Sequence, residues 1–78
     1  MYLEIISPDK KLFSGEATLV KLPGTKGSFE IMKNHAPIIS TLTKGKIKIT
    51  DANKKSEFIE INGGVVEVQK NKIIILAE

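Results

Sequence analysis

The segment "KIKITDANKKSEFIEINGGVVEVQKNKIIIL" (residues 46–76) decides the fold class. Its parts "KIKIT" (46–50) and "EFIEI" (57–61) place isoleucines at every second position, which indicates strands with one buried face. The parts "VVEV" (65–68) and "KIIIL" (72–76) have the pattern of two further strands. Because "KIIIL" is apolar on both faces, we expect it to be a central strand.

The rest of the chain extends the same pattern. Twelve isoleucines, four valines and five threonines favour pleated sheet over helix. Turn signals recur at short intervals: Ser7-Pro8-Asp9, Ser14-Gly15, Pro23-Gly24, Gly27, Lys44-Gly45, Asp51-Ala52-Asn53, Asn62-Gly63-Gly64 and Lys70-Asn71. The sequence therefore predicts a single all-β domain over residues 1–78, an antiparallel β-sandwich or flattened barrel of about eight to ten short strands. Asn62-Gly63 and Lys70-Asn71 are the predicted hairpin turns.

One segment, "KNHAPIISTLTK" (33–44), has apolar residues at helical spacing. Its β-branched residues lower the helix propensity. We therefore predict a tight turn through Asn34-His35 that is followed by a strand.

The charge pattern argues against a nucleic-acid partner. The formal net charge is +3, and all twelve cations are lysines, dispersed among nine acids. A nucleic-acid-binding surface usually clusters its cations, uses arginine and exposes aromatic side chains. The four aromatic residues of this chain, Tyr2, Phe13, Phe29 and Phe58, have apolar neighbours, so we predict that they lie in the core.

Other composition limits are equally direct. Cysteine is absent, which excludes disulfides and thiolate metal sites. No apolar run is long enough to insert into a membrane, and the first residues lack the pattern of a signal peptide. We expect a soluble domain without direct membrane insertion.

Candidate chemistry is weak throughout the chain. "GTKGS" (24–28) has only two residues between its glycines, whereas a phosphate-binding P-loop needs four. His35 is the only histidine, and a zinc site needs further histidine or cysteine ligands. The sequence predicts no catalytic, cofactor or metal site, and the protein is not expected to be an enzyme.

Two alternatives remain open at this point. A biotinyl or lipoyl carrier domain has a similar size and presents its modified lysine on a hairpin, and Lys33 in "IMKN" (31–34) would be that lysine. The second methionine or the acid that usually flanks such a lysine is missing. A generic β-sandwich adaptor with an unknown ligand is the other alternative.

The order of motifs resembles one known family. "VKLPGTKGSFEIMKNHAPIISTLTKGKIKI" (20–49) is similar to the N-terminal β-sandwich of the epsilon subunit of bacterial F-type ATP synthase. "LEIISPDKKLFSGEA" (3–17), "FIEINGGVVEV" (58–68) and the final "LAE" (76–78) agree with the same family. Glu30 and Lys33 depart from it, since the family usually has glycine and proline there.

The resemblance implies a function. The family subunit is a non-catalytic part of the central stalk, or rotor, of a proton- or sodium-translocating ATP synthase. Its partners are the gamma subunit and the c-ring, in a heteromeric complex peripheral to the cytoplasmic face of the bacterial inner membrane. Many relatives continue into a C-terminal helical hairpin with inhibitory and, in some members, ATP-binding roles, which we do not assign to this chain.

The resemblance also carries two contact surfaces over to this sequence. The loop that faces the c-ring in the family corresponds to Lys26, Gly27 and Ser28. The side that faces gamma corresponds to His35, Ala36, Pro37, Ile38 and Ser40. A purely structural role in turn formation and packing is the alternative for the second set.

Overall fold

A computed structural model describes all 78 residues, Met1–Glu78, and contains nine strands and no helix. The strands are β1 (Tyr2–Ile6), β2 (Lys11–Glu16), β3 (Leu19–Gly24), β4 (Gly27–Met32), β5 (Ile38–Leu42), β6 (Gly45–Thr50), β7 (Ser56–Ile61), β8 (Gly64–Gln69) and β9 (Lys72–Ala77). The predicted all-β architecture is confirmed, and the strand that follows the Asn34-His35 turn is β5.

The strands form two groups, which we call the first and the second sheet. The first sheet has the order β2-β1-β9-β8-β5, and the second has the order β4-β3-β6-β7. They are joined where Gly24 of β3 pairs with Leu42 of β5. All pairs are antiparallel except β1 and β9, which run parallel. That pair joins the first and last strands, so nearly the whole chain serves as the crossover that a parallel connection requires.

The core lies between the inward faces of the two sheets. Alternation along each strand sends every second side chain inward, as in β6, where Ile47 and Ile49 are buried between exposed or half-buried neighbours. The buried apolar residues are Leu3, Ile5, Ala17, Val20, Leu22, Ile31, Leu42, Ile47, Ile49, Ile61, Val66, Val68, Ile73, Ile75 and Ala77. No polar or charged residue is buried among them. Burial of each large aliphatic side chain contributes about 1.5–3 kcal/mol to the free energy of folding.

Of the two predicted hairpin turns, one is confirmed and one is wrong. Lys70-Asn71 closes the β8–β9 hairpin, with Gln69 paired to Lys72 and a φ of 45° at Lys70. Asn62-Gly63 is not a hairpin turn, because β7 pairs with β6 whereas β8 pairs with β5 and β9. That segment instead carries the chain from the edge of the second sheet to the middle of the first.

The predicted core position of the aromatic residues is wrong for Phe58, which is 59% exposed. Tyr2, Phe13 and Phe29 are half-buried, and the two phenylalanines pack against the margin of the core. The reason is the alternation of β7, which directs Ile59 and Ile61 inward and therefore directs Phe58 outward.

Candidate interaction surfaces

The β3–β4 hairpin ends in a tight turn at Thr25-Lys26, which we call the hairpin tip. Gly24 and Gly27 pair with each other on either side of it. Gly27 has a φ of 121°, which disfavours any side chain. A Cβ at Gly24 would lie 2.6 Å from the Gly27 carbonyl oxygen and 2.8 Å from the Phe29 ring. The two glycines are therefore explained by the backbone of the turn, without any phosphate ligand.

Hydrogen bonds tie the hairpin tip to β5. The Thr25 amide donates to the Thr41 carbonyl over 3.2 Å, and the hydroxyls of these two threonines are 2.9 Å apart. The Thr43 amide donates to the Pro23 carbonyl over 2.8 Å. A cavity of about 580 Å³, which we call the groove, lies between the tip and β5. It is lined by Gly24, Thr25, Lys26, Gly27, Ser28, Phe29, Ile39, Ser40 and Thr41.

The groove brings together residues that the family resemblance assigns to different partners. Lys26, Gly27 and Ser28, the predicted c-ring contacts, share it with Ser40, a predicted gamma contact. Pro37 and Ile38 lie at the start of β5 and border a second concavity with Val68 and Gln69 of the β8–β9 hairpin. The predicted c-ring contacts on the hairpin tip therefore lie next to β5, the strand that carries the predicted gamma contacts Ile38 and Ser40.

The turn that contains His35 is held by local hydrogen bonds. Asn34 has a φ of 68°, and the His35 amide donates to the Met32 carbonyl over 3.2 Å. The half-buried His35 ring donates from Nδ1 to the Ala36 carbonyl over 2.7 Å. In the neutral imidazole this bond places the proton on Nδ1 and makes Nε2 an acceptor, which has no hydrogen-bond partner within the chain. Nε2 can therefore accept a hydrogen bond from another molecule.

Sequence reasoning missed an exposed apolar surface on the first sheet. On the outer side of the first sheet, Ile39 is 73% exposed, Leu76 is 56% exposed and Val65 is 39% exposed. Val65 pairs with Leu76, and Leu76 pairs in turn with Ile6, so these three side chains form one row. Ile39 and Ile74 lie in the adjacent row of the same face, one on each side of Glu67. We call Ile6, Ile39, Val65, Ile74 and Leu76 the apolar face.

The signal for the apolar face was present in "KIIIL" (72–76). A strand that is apolar on both sides leaves one side uncovered in a sandwich of two sheets, because only the inward side meets the opposite sheet. Continuous apolar character in a strand therefore indicates either a third layer or a partner.

An ion pair lies beside the apolar face. The Lys11 ammonium is 3.0 Å from a Glu4 carboxylate oxygen, and Lys11 pairs with Ile6 across β1 and β2. The hydrogen bond to the Glu4 carboxylate, together with its negative charge, raises the pKa of the exposed Lys11 side chain above its ordinary value. The apolar face therefore has a charged margin on the β2 side.

The outer side of the second sheet is different. Glu30, Lys21, Lys48 and Phe58 follow one another in a row across β4, β3, β6 and β7. Lys46 pairs with Glu60 in the next row. We call Lys21, Glu30, Lys46, Lys48 and Glu60 the charged face.

Two further features of the side chains concern metal coordination and the hydrogen bonding of buried polar groups. No group of three or more histidine, aspartate, glutamate or cysteine residues could hold a metal ion. No buried side-chain nitrogen or oxygen lacks a hydrogen-bond partner. The chain also has no helix of the length and apolar character needed to cross a membrane.

Two subunits of solved ATP synthases share this fold. A chain of the mitochondrial ATP synthase from Euglena gracilis superposes with a TM-score of 0.90 over 96% of this chain and 48% of its own length, at 17% identity. A chain from the central stalk and c-ring of the Tetrahymena thermophila mitochondrial ATP synthase gives a TM-score of 0.80 at 18% identity, over 97% of this chain and 61% of its own. At such identities these likenesses show a shared fold.

Relatives with higher sequence identity identify the family. The ATP synthase epsilon chain of Chlorobium limicola is 45% identical over 97% of this chain and 86% of its own length. The epsilon chain of Caulobacter vibrioides is 37% identical over the whole of this chain and 90% of its own. That of Campylobacter curvus is 40% identical, and this chain spans 60% of its length. The family model of the ATP synthase delta/epsilon-chain β-sandwich domain matches residues 1–78. The chain therefore belongs to the ATP synthase delta/epsilon family, which it matches through the β-sandwich domain.

Proposed function

We propose that this chain is a non-catalytic central-stalk subunit of a rotary ATP synthase. It docks on the gamma subunit and on the c-ring, and so couples proton or sodium flow to ATP synthesis. Two findings support the proposal: the relatives are named as ATP synthase epsilon chains, and the outer side of the first sheet exposes large apolar side chains. The complex would lie on the cytoplasmic face of the bacterial inner membrane.

The apolar face is the observation that carries the proposal. Large side chains such as Ile39 and Leu76 are mostly exposed although they lie on the same face of paired strands. A large exposed apolar surface on a folded domain marks an interaction site, because burying it releases about 25 cal/mol for each Å². We assign this face to the gamma subunit, because an interface that persists through rotation needs an apolar centre.

Of the predicted gamma contacts, Ile38 and Ser40 lie on the inward side of β5, opposite to Ile39, and Ile38 packs against the core. His35, Ala36, Pro37, Ile38 and Ser40 lie in the turn before β5 and along β5 itself. Ile39, within the same stretch, belongs to the apolar face. In the neutral ring, the unpaired Nε2 of His35 is an acceptor in the turn before β5, available to a polar group of a partner.

The hairpin tip suits the c-ring better. Lys26, Gly27 and Ser28 are all exposed there, and they offer a cation and a hydroxyl to polar partner loops. Two glycines and the bonds to Thr41 fix the position of the tip relative to β5. A force applied at this tip would therefore be transmitted directly into the first sheet.

Co-purification tests the proposal. A tagged chain expressed in its own organism should be recovered from detergent-solubilised membranes together with gamma, the catalytic head and the c-ring. The matched control is the same chain with Leu76→Lys and Lys26→Ala, which should recover much less of the complex. Recovery of the unmodified chain without gamma would contradict the assignment.

Intact mass measurement on the same sample tests the carrier alternative. Lys33 is exposed in the turn after β4, as a modified lysine would have to be. We expect the unmodified mass. A stoichiometric biotin or lipoyl adduct on Lys33 would support the carrier function instead.

A further inference from the structure

A half-buried carboxylate, that of Glu67, lies within the apolar face. It points outward from β8 between Ile39 of β5 and Ile74 of β9, and Val65 lies two residues away on the same side of its strand. Cross-strand neighbours on one face of a sheet have Cβ atoms about 4.5–5.5 Å apart. A partner that covers Ile39 and Ile74 therefore also covers the Glu67 carboxylate.

The chain supplies this carboxylate with one hydrogen bond and no cation. The side-chain amide of Gln69 donates to one Glu67 oxygen over 3.0 Å, and neither of the two ion pairs of the structure includes Glu67. Glu4 lies in the same row, beyond Ile74, and it has its own cation in Lys11 at 3.0 Å. Of the two carboxylates in this row, only Glu67 is left without a positively charged partner.

The second concavity lies beside Glu67 and has room for a long side chain. It has a volume of about 320 Å³ and is lined by Pro37, Ile38, Ile39, Glu67, Val68 and Gln69. Glu67 is the only charged residue among them. The apolar lining can hold the methylene stem of a lysine or an arginine, whose charged end would then meet the carboxylate.

Burial of Glu67 without a cation would oppose binding. Removing an ionised carboxylate from water costs more free energy than one hydrogen bond to a neutral amide returns. A cation with well-placed hydrogen bonds offsets that cost. Five aliphatic side chains around one carboxylate therefore favour a partner surface that is apolar and carries a positive charge opposite β8.

We propose that the surface covering the apolar face carries a lysine or arginine side chain, which enters the second concavity and pairs with the Glu67 carboxylate. This inference deepens the proposed function and rests on it, because the gamma subunit is the partner to which we assign the apolar face. The aliphatic residues supply affinity. The ion pair fixes the position of the partner along β8, because a neutral or negative group opposite Glu67 would leave its charge buried and unpaired.

Glu67→Leu separates the proposed ion pair from a purely apolar contact, because the two predict opposite changes in affinity. Leucine extends the apolar face, so a partner without a cation should bind as tightly as before or more tightly. A partner with a cation would keep an unpaired buried charge, and its affinity should fall by at least about thirtyfold. Isothermal titration of the full chain with the organism's own gamma subunit measures the change.

Two further variants control for shape and for net charge. Glu67→Gln keeps the size and the hydrogen-bonding capacity of the side chain, and should lower the affinity about tenfold or more. Glu60→Gln removes the same charge from the charged face and should change the affinity less than about twofold. Melting temperatures show that each variant is folded. Unchanged or higher affinity of both Glu67 variants would overturn the inference and leave the proposed function intact, because the complex still forms.

A scan of the gamma subunit identifies the cation. Each of its lysines and arginines is replaced in turn by alanine, and each variant is titrated with the unmodified chain and with Glu67→Leu. One substitution should weaken binding to the unmodified chain about tenfold or more and should not weaken binding to Glu67→Leu, because that chain has already lost the pair. A scan without any such residue would overturn the inference.

Two other outcomes concern the identity of the partner. Dimerisation of the chain alone that is weakened by Glu67→Leu, measured by sedimentation, would show that a second copy covers the apolar face, and would overturn the inference. Failure of the unmodified chain to bind gamma at all would overturn the proposed function and this inference with it.

Discussion

The two outer faces of the sandwich follow the same alternation but differ in composition: the first sheet exposes mainly aliphatic side chains, and the second exposes mainly charged ones together with Met32 and Phe58. In the first sheet the outward positions of β8 and β9 include Val65 and Leu76, whereas in the second sheet the outward positions of β6 are Lys46 and Lys48. Both sheets bury most of their inward isoleucines and valines, although Ile38 of the first sheet and Ile59 of the second are only half-buried. The outer side of the second sheet carries mainly charged side chains, whereas that of the first sheet leaves Ile39 and Leu76 mostly exposed to solvent.

A strand can therefore have both of its edges paired within the chain while its outward side chains remain uncovered. A central strand such as β9 is flanked by β1 and β8, so both its edges are satisfied within the chain. Of its outward side chains, Leu76 is 56% exposed and Ile74 is half-buried. Lysine at those positions would suit an independent domain, so the aliphatic residues point to a partner.

The largest expected effect concerns a glycine in each sheet. Gly64→Ala should lower the free energy of unfolding by about 3 kcal/mol or more, because the added Cβ would lie 2.3 Å from the Leu76 carbonyl oxygen at a φ of 153°. Gly27→Ala is the matched control in the second sheet, with a φ of 121° and open space around it. We expect it to lose only about 1–2 kcal/mol. Urea denaturation of both variants measures the difference, and equal losses would show that backbone strain alone decides.

A second prediction addresses the two faces themselves. Leu76 and Phe58 are almost equally exposed, at 56% and 59%, but they lie on opposite outer faces. Leu76→Lys should lower the affinity for gamma by about 2–3 kcal/mol, because a charge would be desolvated in an apolar interface. Phe58→Lys should change it by less than about 0.5 kcal/mol.

Isothermal titration with the gamma subunit measures both affinities, and melting temperatures show that both variants are folded. Similar losses of affinity for Leu76→Lys and Phe58→Lys would contradict the assignment of gamma to the apolar face. A loss for Phe58→Lys alone would move the interface to the charged face.

A third prediction tests the turn before β5 at His35. His35→Ala should weaken gamma binding by about 1–2 kcal/mol, because it removes an aromatic contact and the free Nε2 acceptor. The fold should lose about 1 kcal/mol or less, mainly the bond from Nδ1 to the Ala36 carbonyl.

Lys33→Ala is the neighbouring control for His35→Ala, and we expect it to act mainly on the salt dependence of association. Both affinities should be measured at two ionic strengths beside the melting temperatures. If His35→Ala melts the domain far below the unmodified chain, the histidine is a structural residue. Unchanged stability and affinity together would remove this turn from the gamma interface.

The smallest expected effect concerns the Glu4–Lys11 pair beside the apolar face. Its hydrogen bond raises the pKa of Lys11 above the ordinary value of 10.5, so the folded state holds this proton more tightly than the unfolded state. The resulting stabilisation is fully present below pH 10.5 and is lost as the pH rises through the folded-state pKa. Lys11→Gln removes it at every pH.

The difference in melting temperature between the unmodified chain and Lys11→Gln should therefore be small at about pH 9 and should shrink further toward about pH 11.5. Lys10→Gln, one residue away and without an ion pair, controls for the general effect of charge. A difference that stays constant across this range would show that the pair does not couple to folding.

Local structure was predictable from the sequence. Alternation in "KIKIT" and "EFIEI" indicated strands β6 and β7, and Lys70-Asn71 indicated a true hairpin turn. Alternation is readable because it depends on the period of a strand and on nothing distant. The turn at Asn34 was also correct, since asparagine tolerates the positive φ that this position requires.

Pairing between strands that are distant in the chain could not be predicted from the sequence. Asn62-Gly63 has the composition of a hairpin turn, yet its strands belong to different sheets. The parallel pair of β1 and β9 joins segments at opposite ends of the chain, and no local signal marks it. These choices depend on which arrangement closes one core, which is a property of the whole set of strands.

The candidate site divides in the same way. The motif around His35 and the glycines of the hairpin tip were recognisable as residues, because turn chemistry is local. The groove between Lys26 and Ser40, and the apolar face that includes Ile39, Val65 and Leu76, exist only after β5 is placed between β8 and the hairpin. Alternation in the sequence predicted strands and their buried sides, and the order of motifs indicated the family. Which outward side chains become neighbours is known only from the tertiary structure, because it depends on the register between strands that are far apart in the chain.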